Sequence, residues 1–129
     1  MLAMAHGKAF RDLKVWQRSM DLVERVYEVT AAFPTDERFG LTAQVRRAAV
    51  SIPSNIGEGS RRKRRKAFLN HLDIALGSQG EVDVQLEIAR RLRFLKTADY
   101  NRAQVVVEEI GRMLNGLIVS LQPENDYEP

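Results

Sequence analysis

Apolar side chains recur near the start of the chain at alternating spacings of three and four residues, the repeat of one face of an α-helix. This face predicts a first helix over about residues 12–33. Asp12 is placed to cap its start, and Pro34 ends it because proline cannot continue the hydrogen-bond ladder. The face comprises Leu13, Trp16, Met20, Val23, Tyr27 and Thr30.

A second apolar series keeps the same spacing through a proline, a residue that normally interrupts a helix. Because the pattern persists on both sides of Pro53, we predict a second helix that bends there and ends between Gly57 and Gly59. The bend has a structural interpretation, since it would let the helix wrap around the core. The series comprises Leu41, Val45, Ala48, Ala49, Ile52 and Ile56.

Two further series complete the chain. The third predicts a helix over about residues 61–94, roughly 50 Å long, with Ser60 as its cap. The fourth predicts a helix that Thr97 caps and Pro123 ends. Their apolar positions are Phe68, Leu72, Ala75, Val82, Leu86 and Ala89, and then Ala103, Val107, Ile110, Leu114, Leu117 and Leu121.

Four such helices with short connections, and no strand-like alternation, predict an all-α protein: an antiparallel up-down four-helix bundle with a long third helix. In the 129-residue chain, the bundle would cover 11–121, between a flexible N-terminal tail at 1–10 and an acidic C-terminal tail at 122–129. No apolar stretch approaches the roughly 18–20 residues of a membrane-spanning helix. Because there is no cysteine and the N-terminus does not resemble a secretory signal, we expect a cytoplasmic protein.

Composition adds little until the positions of the charges are considered. A content of 44% hydrophobic and 29% charged residues is that of an ordinary globular domain, and a net charge of +3 is only mildly basic. However, six cations follow one another without interruption, and we call them the basic run: Arg61, Arg62, Lys63, Arg64, Arg65 and Lys66. A second, looser cluster comprises Arg90, Arg91, Arg93 and Lys96.

The basic run lacks a structural explanation if it forms the first turn of the third helix. Cations there oppose the helix dipole, each by about 0.3–1 kcal/mol, and repel one another. The second cluster lies at the helix end where the dipole favours positive charge. Phosphates of RNA or DNA would remove the repulsion and release counterions, so nucleic-acid binding is the first hypothesis. The alternatives are a solvated charged face and a structural assembly module whose basic run binds an acidic protein.

Catalysis is the third hypothesis. Arg65 and His71 lie six positions apart, a spacing that resembles helical HEPN-type ribonucleases, in which a basic residue and a general acid-base flank an RNA phosphate. Six positions turn a helix by about 600°, which puts the two side chains on different faces. With only two histidines in the chain and no Glu-x-x-His pair, we predict no catalytic residue, no metal site and no cofactor.

From about Phe10 to Leu121 the chain resembles a known family in order and spacing. The segments that carry the resemblance are FRDLKVWQRSMDLVERVYEVTAAFPTDERFGLTAQVRRAAVSIPSNIGEG at 10–59 and GSQGEVDVQLEIARRL at 77–92. The family includes the S23-type proteins encoded in intervening sequences of bacterial large-subunit ribosomal RNA genes, and the accessory variability proteins of diversity-generating retroelements. Its motif residues here are Pro53, Asn55, Glu58 and Gly59, and Gly57 departs from an expected alanine.

The resemblance implies more than a fold. It implies a four-helix protomer that assembles as a homopentamer with a basic surface. It also implies association with ribosomal RNA or, for the retroelement members, with a reverse transcriptase and nucleic acid. No catalytic reaction is implied. From the resemblance and the basic run together, we expect a non-enzymatic RNA- or DNA-binding protein.

Overall fold

The computed structural model describes residues 7–123 and consists of helices and their connections. No strand occurs among these residues, which confirms the predicted all-α class. Two short 3-10 helices, Gly7–Asp12 and Thr35–Glu37, precede the first and second long helices. The four long helices are α1 (Lys14–Thr30), α2 (Leu41–Ser60), α3 (Arg65–Arg91) and α4 (Thr97–Leu121).

The helices enclose a single apolar core. Each long helix packs against its neighbours in the chain, and α4 also packs against α1. The stripes found in the sequence supply most of the core in α2, α3 and α4, because the buried positions follow the helical repeat. In α1 the predicted face is wrong except for Thr30: the side chains that face the other helices are Val15, Ser19, Leu22, Val26 and Thr30, and Tyr27 is 44% exposed. The largest side chains that are fully buried are Phe68, Leu22, Ile52, Ile56, Leu72, Leu86, Ile110 and Leu114. This arrangement is that of a four-helix bundle.

Polar bonds join α3 and α4 along their length. Gln79 Nε2 donates to the Val107 carbonyl at 2.9 Å, and Gln104 Nε2 donates to Asp83 Oδ1 at 2.8 Å. The contacts pair residues in reverse chain order, since positions further along α3 meet positions earlier in α4. The up-and-down order of the whole bundle stays a prediction, as does a bend at Pro53.

Three predicted caps are wrong. Asp12 belongs to the first 3-10 helix, and the residue before α1 is Leu13, whose side chain forms no capping bond. Thr97 is already the first residue of α4, after an N-cap position occupied by Lys96. Ser60 ends α2 instead of starting α3, and its buried hydroxyl donates to the carbonyl of Gly57 at 2.9 Å. Each side chain lies one or more positions from the place where its oxygen could accept from the helix N-terminus.

Helix α2 continues through its proline to Ser60, and Pro53 is buried within it. Two residues after the proline, the Asn55 amide donates back to the carbonyl and hydroxyl oxygens of Ser51, at 2.9 and 3.1 Å. Within 7–123, no helix has the length and apolar character that a membrane crossing needs.

The two predicted tails are described only in part. Residues 7–10 of the predicted N-terminal tail belong to the first 3-10 helix, where Phe10 is buried against the bundle. Most of the predicted acidic C-terminal tail, at 124–129, lies outside the described residues.

Candidate nucleic-acid interface

The basic run lies at the connection between α2 and α3. Arg61 occupies the C-cap of α2, and α3 begins only at Arg65. The third helix therefore starts four residues later than predicted. It ends at Arg91, so its 27 residues span about 40 Å. Within the first turn of α3, the helix dipole opposes only Arg65 and Lys66, whereas the dipole of α2 favours Arg61 at its C-terminus.

What sets the run apart in the structure is the lack of partners for most of its charge. All six side chains are exposed. Arg62 Nη2 lies 2.6 Å from Glu58 Oε2, an exposed pair on consecutive turns. The four cations that follow Arg62 in the run take part in no ion pair within 7–123. They are Lys63, Arg64, Arg65 and Lys66.

The N-terminal 3-10 helix brings a further cation to this surface. The Phe10 ring contacts two guanidinium groups, with Cζ of Arg11 4.6 Å and Cζ of Arg61 5.4 Å from its centroid. The same ring packs edge-on against Trp16, with 5.4 Å between centroids. Arg11 therefore extends the basic surface. The shared contact with Phe10 joins residues fifty positions apart, which no sequence periodicity connects.

The backbone beneath the run is held by a close helix-helix corner. A Cβ atom on Gly59 would lie 2.6 Å from the Cβ of His71 and 2.9 Å from Cδ1 of Phe68, so only glycine fits. Asn55 Oδ1 lies 2.9 Å from Nδ1 of His71, which ties α2 to α3 just below the connection. The family motif residues Asn55 and Gly59 thus lie in the packing of this corner, and Glu58 lies at its surface. Pro53 is buried on the side of α2 that borders Phe10 and Trp16.

The postulated ribonuclease pair is not brought together as an active site. His71 is half-buried and its Nδ1 faces Asn55, whereas Arg65 is fully exposed at the start of α3. No hydrogen bond within the described part of the chain joins these two side chains. Residues 7–123 also contain no group of three histidine, aspartate or glutamate side chains placed to hold a metal ion.

The second cationic cluster lies at the opposite end of α3 and is organised by a carboxylate. Glu87 Oε2 accepts from Arg90 Nη2 at 2.6 Å and from Arg91 Nε at 2.8 Å, while Oε1 accepts from the Tyr100 hydroxyl at 2.8 Å. The bonds from Arg91, Tyr100 and Arg90 lower the pKa of Glu87 from its ordinary 4.5 to about 2. The bond to Glu87 also raises the pKa of the Tyr100 phenol.

The α3–α4 connection has the backbone of a Schellman motif. The Arg93 amide donates to the Arg90 carbonyl at 3.0 Å, and the Phe94 amide donates to the Ala89 carbonyl at 2.9 Å. Arg93 adopts a left-handed conformation with φ of 66°, at the position where glycine is usual. For a residue with a side chain this costs about 1–2 kcal/mol.

A surface cavity of about 660 Å³ adjoins this connection, and we call it the turn cleft. Its walls carry four cationic side chains and no carboxylate. The Phe94 ring, which packs on Phe33 with 5.8 Å between centroids, supplies an apolar wall. The cleft is lined by Ala32, Arg90, Arg91, Arg93, Phe94, Leu95, Lys96 and Thr97.

A family model and a solved structure are similar to this chain. Residues 11–116 match the family model described as 23S rRNA-intervening sequence protein, a range that includes the basic run. Among solved structures, the chain is similar to a protein of unknown function from the S23 ribosomal protein family of Bacteroides thetaiotaomicron. The TM-score is 0.76 with 25% sequence identity, over 81% of this chain and 95% of that one. No curated protein sequence matches the chain.

Proposed function

The chain belongs to the 23S rRNA-intervening sequence protein family, and from that premise we propose that it is a non-enzymatic protein that binds the phosphates of RNA or DNA through the basic run. The observation that carries the proposal is the concentration of unused charge at one connection. Four consecutive exposed cations form no ion pair within the described residues. Surface cations that only stabilise a helix are typically interspersed with acidic residues, with which they form ion pairs.

The physical driving force is electrostatic and does not depend on base sequence. Each phosphate that a lysine or arginine neutralises releases condensed counterions, and neighbouring cations stop repelling one another. Arg11 and Arg61, which share the Phe10 ring, would widen the contact on one side of the run. Because these contacts address the backbone and not base edges, we expect little sequence selectivity.

The experiment compares two variants that each lose three exposed cations. R64Q/R65Q/K66Q removes unpaired charge from the basic run, and R38Q/R47Q/R112Q removes the same charge from other exposed positions. Fluorescence anisotropy with labelled single-stranded RNA and DNA of the same sequence, at low salt, gives the affinities. We expect a loss of about tenfold or more for the first variant and little change for the second.

Two results would overturn the proposal. One is that the wild-type protein binds neither oligonucleotide at low salt, and the other is that the two variants bind equally well. In either case, the basic run would better fit an acidic protein partner. A pull-down from cell extract that survives nuclease treatment, and that R64Q/R65Q/K66Q abolishes, would then identify such a partner.

Self-association is the second part of the proposal, and an exposed apolar face on α3 supports it. Four large apolar side chains are more than 40% exposed at helical spacing: Ile74, Val84, Ile88 and Leu92. Gly77 and Gly80 lie between them, and, apart from adjoining residues and the local helix backbone, no described atom comes within 4 Å of a Cβ built on either glycine. A face that is apolar, and flat at its glycines, suits close packing against a second copy.

We propose that this face forms the interface of a homopentamer, the assembly that the family resemblance implies. Light scattering of the purified protein should give a mass of five chains. V84E/I88E should dissociate it, because two carboxylates would be buried without partners. A monomeric wild-type protein would contradict this part of the proposal. Ribosomal RNA and a reverse-transcriptase complex remain proposals for the physiological partner.

A further inference from the structure

Arginine is an unexpected residue at the left-handed position of the α3–α4 connection. The Schellman motif places Arg93 where glycine or asparagine would adopt the same backbone without strain. Its side chain is exposed and, like that of Lys96, belongs to no ion pair within 7–123. Because strained backbone positions are typical of functional sites, the unpaired charge on this residue suggests a role in binding.

The two ends of the cluster differ in how their charge is used. Arg90 and Arg91 both donate to Glu87, so that carboxylate offsets part of their charge, and the helix dipole favours them. Glu87 bonds neither Arg93 nor Lys96, and Lys96 occupies the N-cap of α4, where the helix dipole disfavours a cation. Both cations line the turn cleft, whose remaining walls contain no carboxylate.

We propose that the turn cleft is a second phosphate-binding site for nucleic acid, in which Arg93 and Lys96 contact the phosphate. The inference rests on the proposed function, because it assigns to the same kind of ligand a contact at the other end of the bundle. Arg91, exposed at the rim, adds positive charge, and the Phe94 ring gives an apolar wall for a sugar or base. An anion fits this cleft because cations alone supply its charged lining.

The two sites are far enough apart to engage separate stretches of a nucleic acid. Helix α3 runs from one connection to the other and spans about 40 Å. A B-form duplex rises about 3.4 Å per base pair, so an 8-base-pair duplex covers roughly 27 Å and a 20-base-pair duplex roughly 68 Å. A short duplex therefore occupies one site at a time, whereas a long one has the length to reach both.

The experiment uses R93N/K96Q, in which asparagine suits the left-handed backbone and both unpaired cations are removed. The matched control is R47Q/R112Q, two exposed cations on the lengths of α2 and α4. Anisotropy with the 20-base-pair duplex should show a three- to tenfold loss for R93N/K96Q and little change for the control. Adding R93N/K96Q to R64Q/R65Q/K66Q should remove the binding that the latter retains.

The outcomes separate this inference from the proposed function. If R93N/K96Q binds the long duplex as tightly as R47Q/R112Q, the turn cleft is not a phosphate site, whatever the basic run does. If R93N/K96Q loses affinity while R64Q/R65Q/K66Q does not, the cleft stands and the assignment to the basic run fails. The 8-base-pair duplex gives a second readout, since occupancy of two sites predicts two such duplexes per protomer and a single site predicts one.

Discussion

The two connections at the ends of α3 carry similar numbers of cations but use them differently. At the α2–α3 connection, glycine makes the close contact, no described residue has a positive φ, and five of the six cations form no ion pair within 7–123. At the α3–α4 connection, Glu87 gathers two arginines and a tyrosine, and Arg93 holds a strained backbone position. Two clusters of cations that look alike in sequence thus differ in how many of their members form ion pairs within the fold.

The largest expected effect tests the corner beneath the basic run. Gly59→Ala should lower the free energy of unfolding by about 1–3 kcal/mol, because the new methyl group would overlap His71 and Phe68. Gly116→Ala in α4 is the control, because no described atom beyond the adjoining residues and the local helix backbone lies within 4 Å of its Cβ position. Its free energy of unfolding should rise by up to about 1 kcal/mol. Urea denaturation measures both. Equal effects would mean that the corner is not close-packed.

The second prediction concerns the strained turn. Arg93→Gly should raise the free energy of unfolding by about 1 kcal/mol, because glycine adopts the left-handed backbone without steric cost. Lys63→Gly in the other connection should give no such gain, because Arg93 and not Lys63 is the non-glycine residue of 7–123 with a positive φ. Thermal denaturation of the two variants decides the matter. A destabilised Arg93→Gly would show that the arginine side chain stabilises the turn.

The third prediction follows from the lowered pKa of Glu87. A carboxyl whose pKa falls on folding stabilises the folded state at every pH above the pKa that it has in the unfolded chain. For Glu87 that contribution is lost as pH falls from about 4.5 to about 2. The wild-type Tm should therefore exceed that of Glu87→Gln near neutral pH, and the difference should shrink across this range. A difference that is constant with pH would contradict the ionised cluster. Titration of the Glu87 carboxyl by NMR gives the pKa directly.

The smallest effect concerns the anion beside the basic run. Glu58→Gln removes an exposed partner of Arg62 and should change the free energy of unfolding by less than about 1 kcal/mol. Oligonucleotide affinity should rise, by about fivefold at most, because a negative charge near the phosphates disappears. Asp73→Gln is the matched control on the exposed side of α3. Weaker binding of Glu58→Gln would place the phosphates elsewhere.

The helices were predictable because their apolar stripes are long and regular. The stripe from Phe68 to Ala89 in α3 is buried in the core, whereas the stripe predicted for α1 lies beside the core-facing positions and only Thr30 of it is buried. The helix starts were less predictable. The basic run contains no apolar residue, so the helical period could not show that α3 begins at Arg65 and not at Arg61. The predicted caps relied on side chains that the structure places outside capping positions.

Parts of the candidate site were beyond the reach of sequence reasoning. The basic run is visible as a string of cations, but whether those cations have partners depends on tertiary structure. The contact of Arg11 and Arg61 with one phenyl ring joins segments fifty residues apart. The left-handed Arg93 was hidden because a helix end of this kind is recognised in a sequence by glycine or asparagine.

The salt dependence of binding tests the central claim most directly. The logarithm of the binding constant for single-stranded RNA should fall linearly with the logarithm of salt concentration, between about 50 and 200 mM. R64Q/R65Q/K66Q should make that slope shallower by about 2, because roughly 0.7 is lost per phosphate contact, while R38Q/R47Q/R112Q should leave it unchanged. Equal slopes for the wild-type protein and R64Q/R65Q/K66Q would contradict phosphate binding by the basic run.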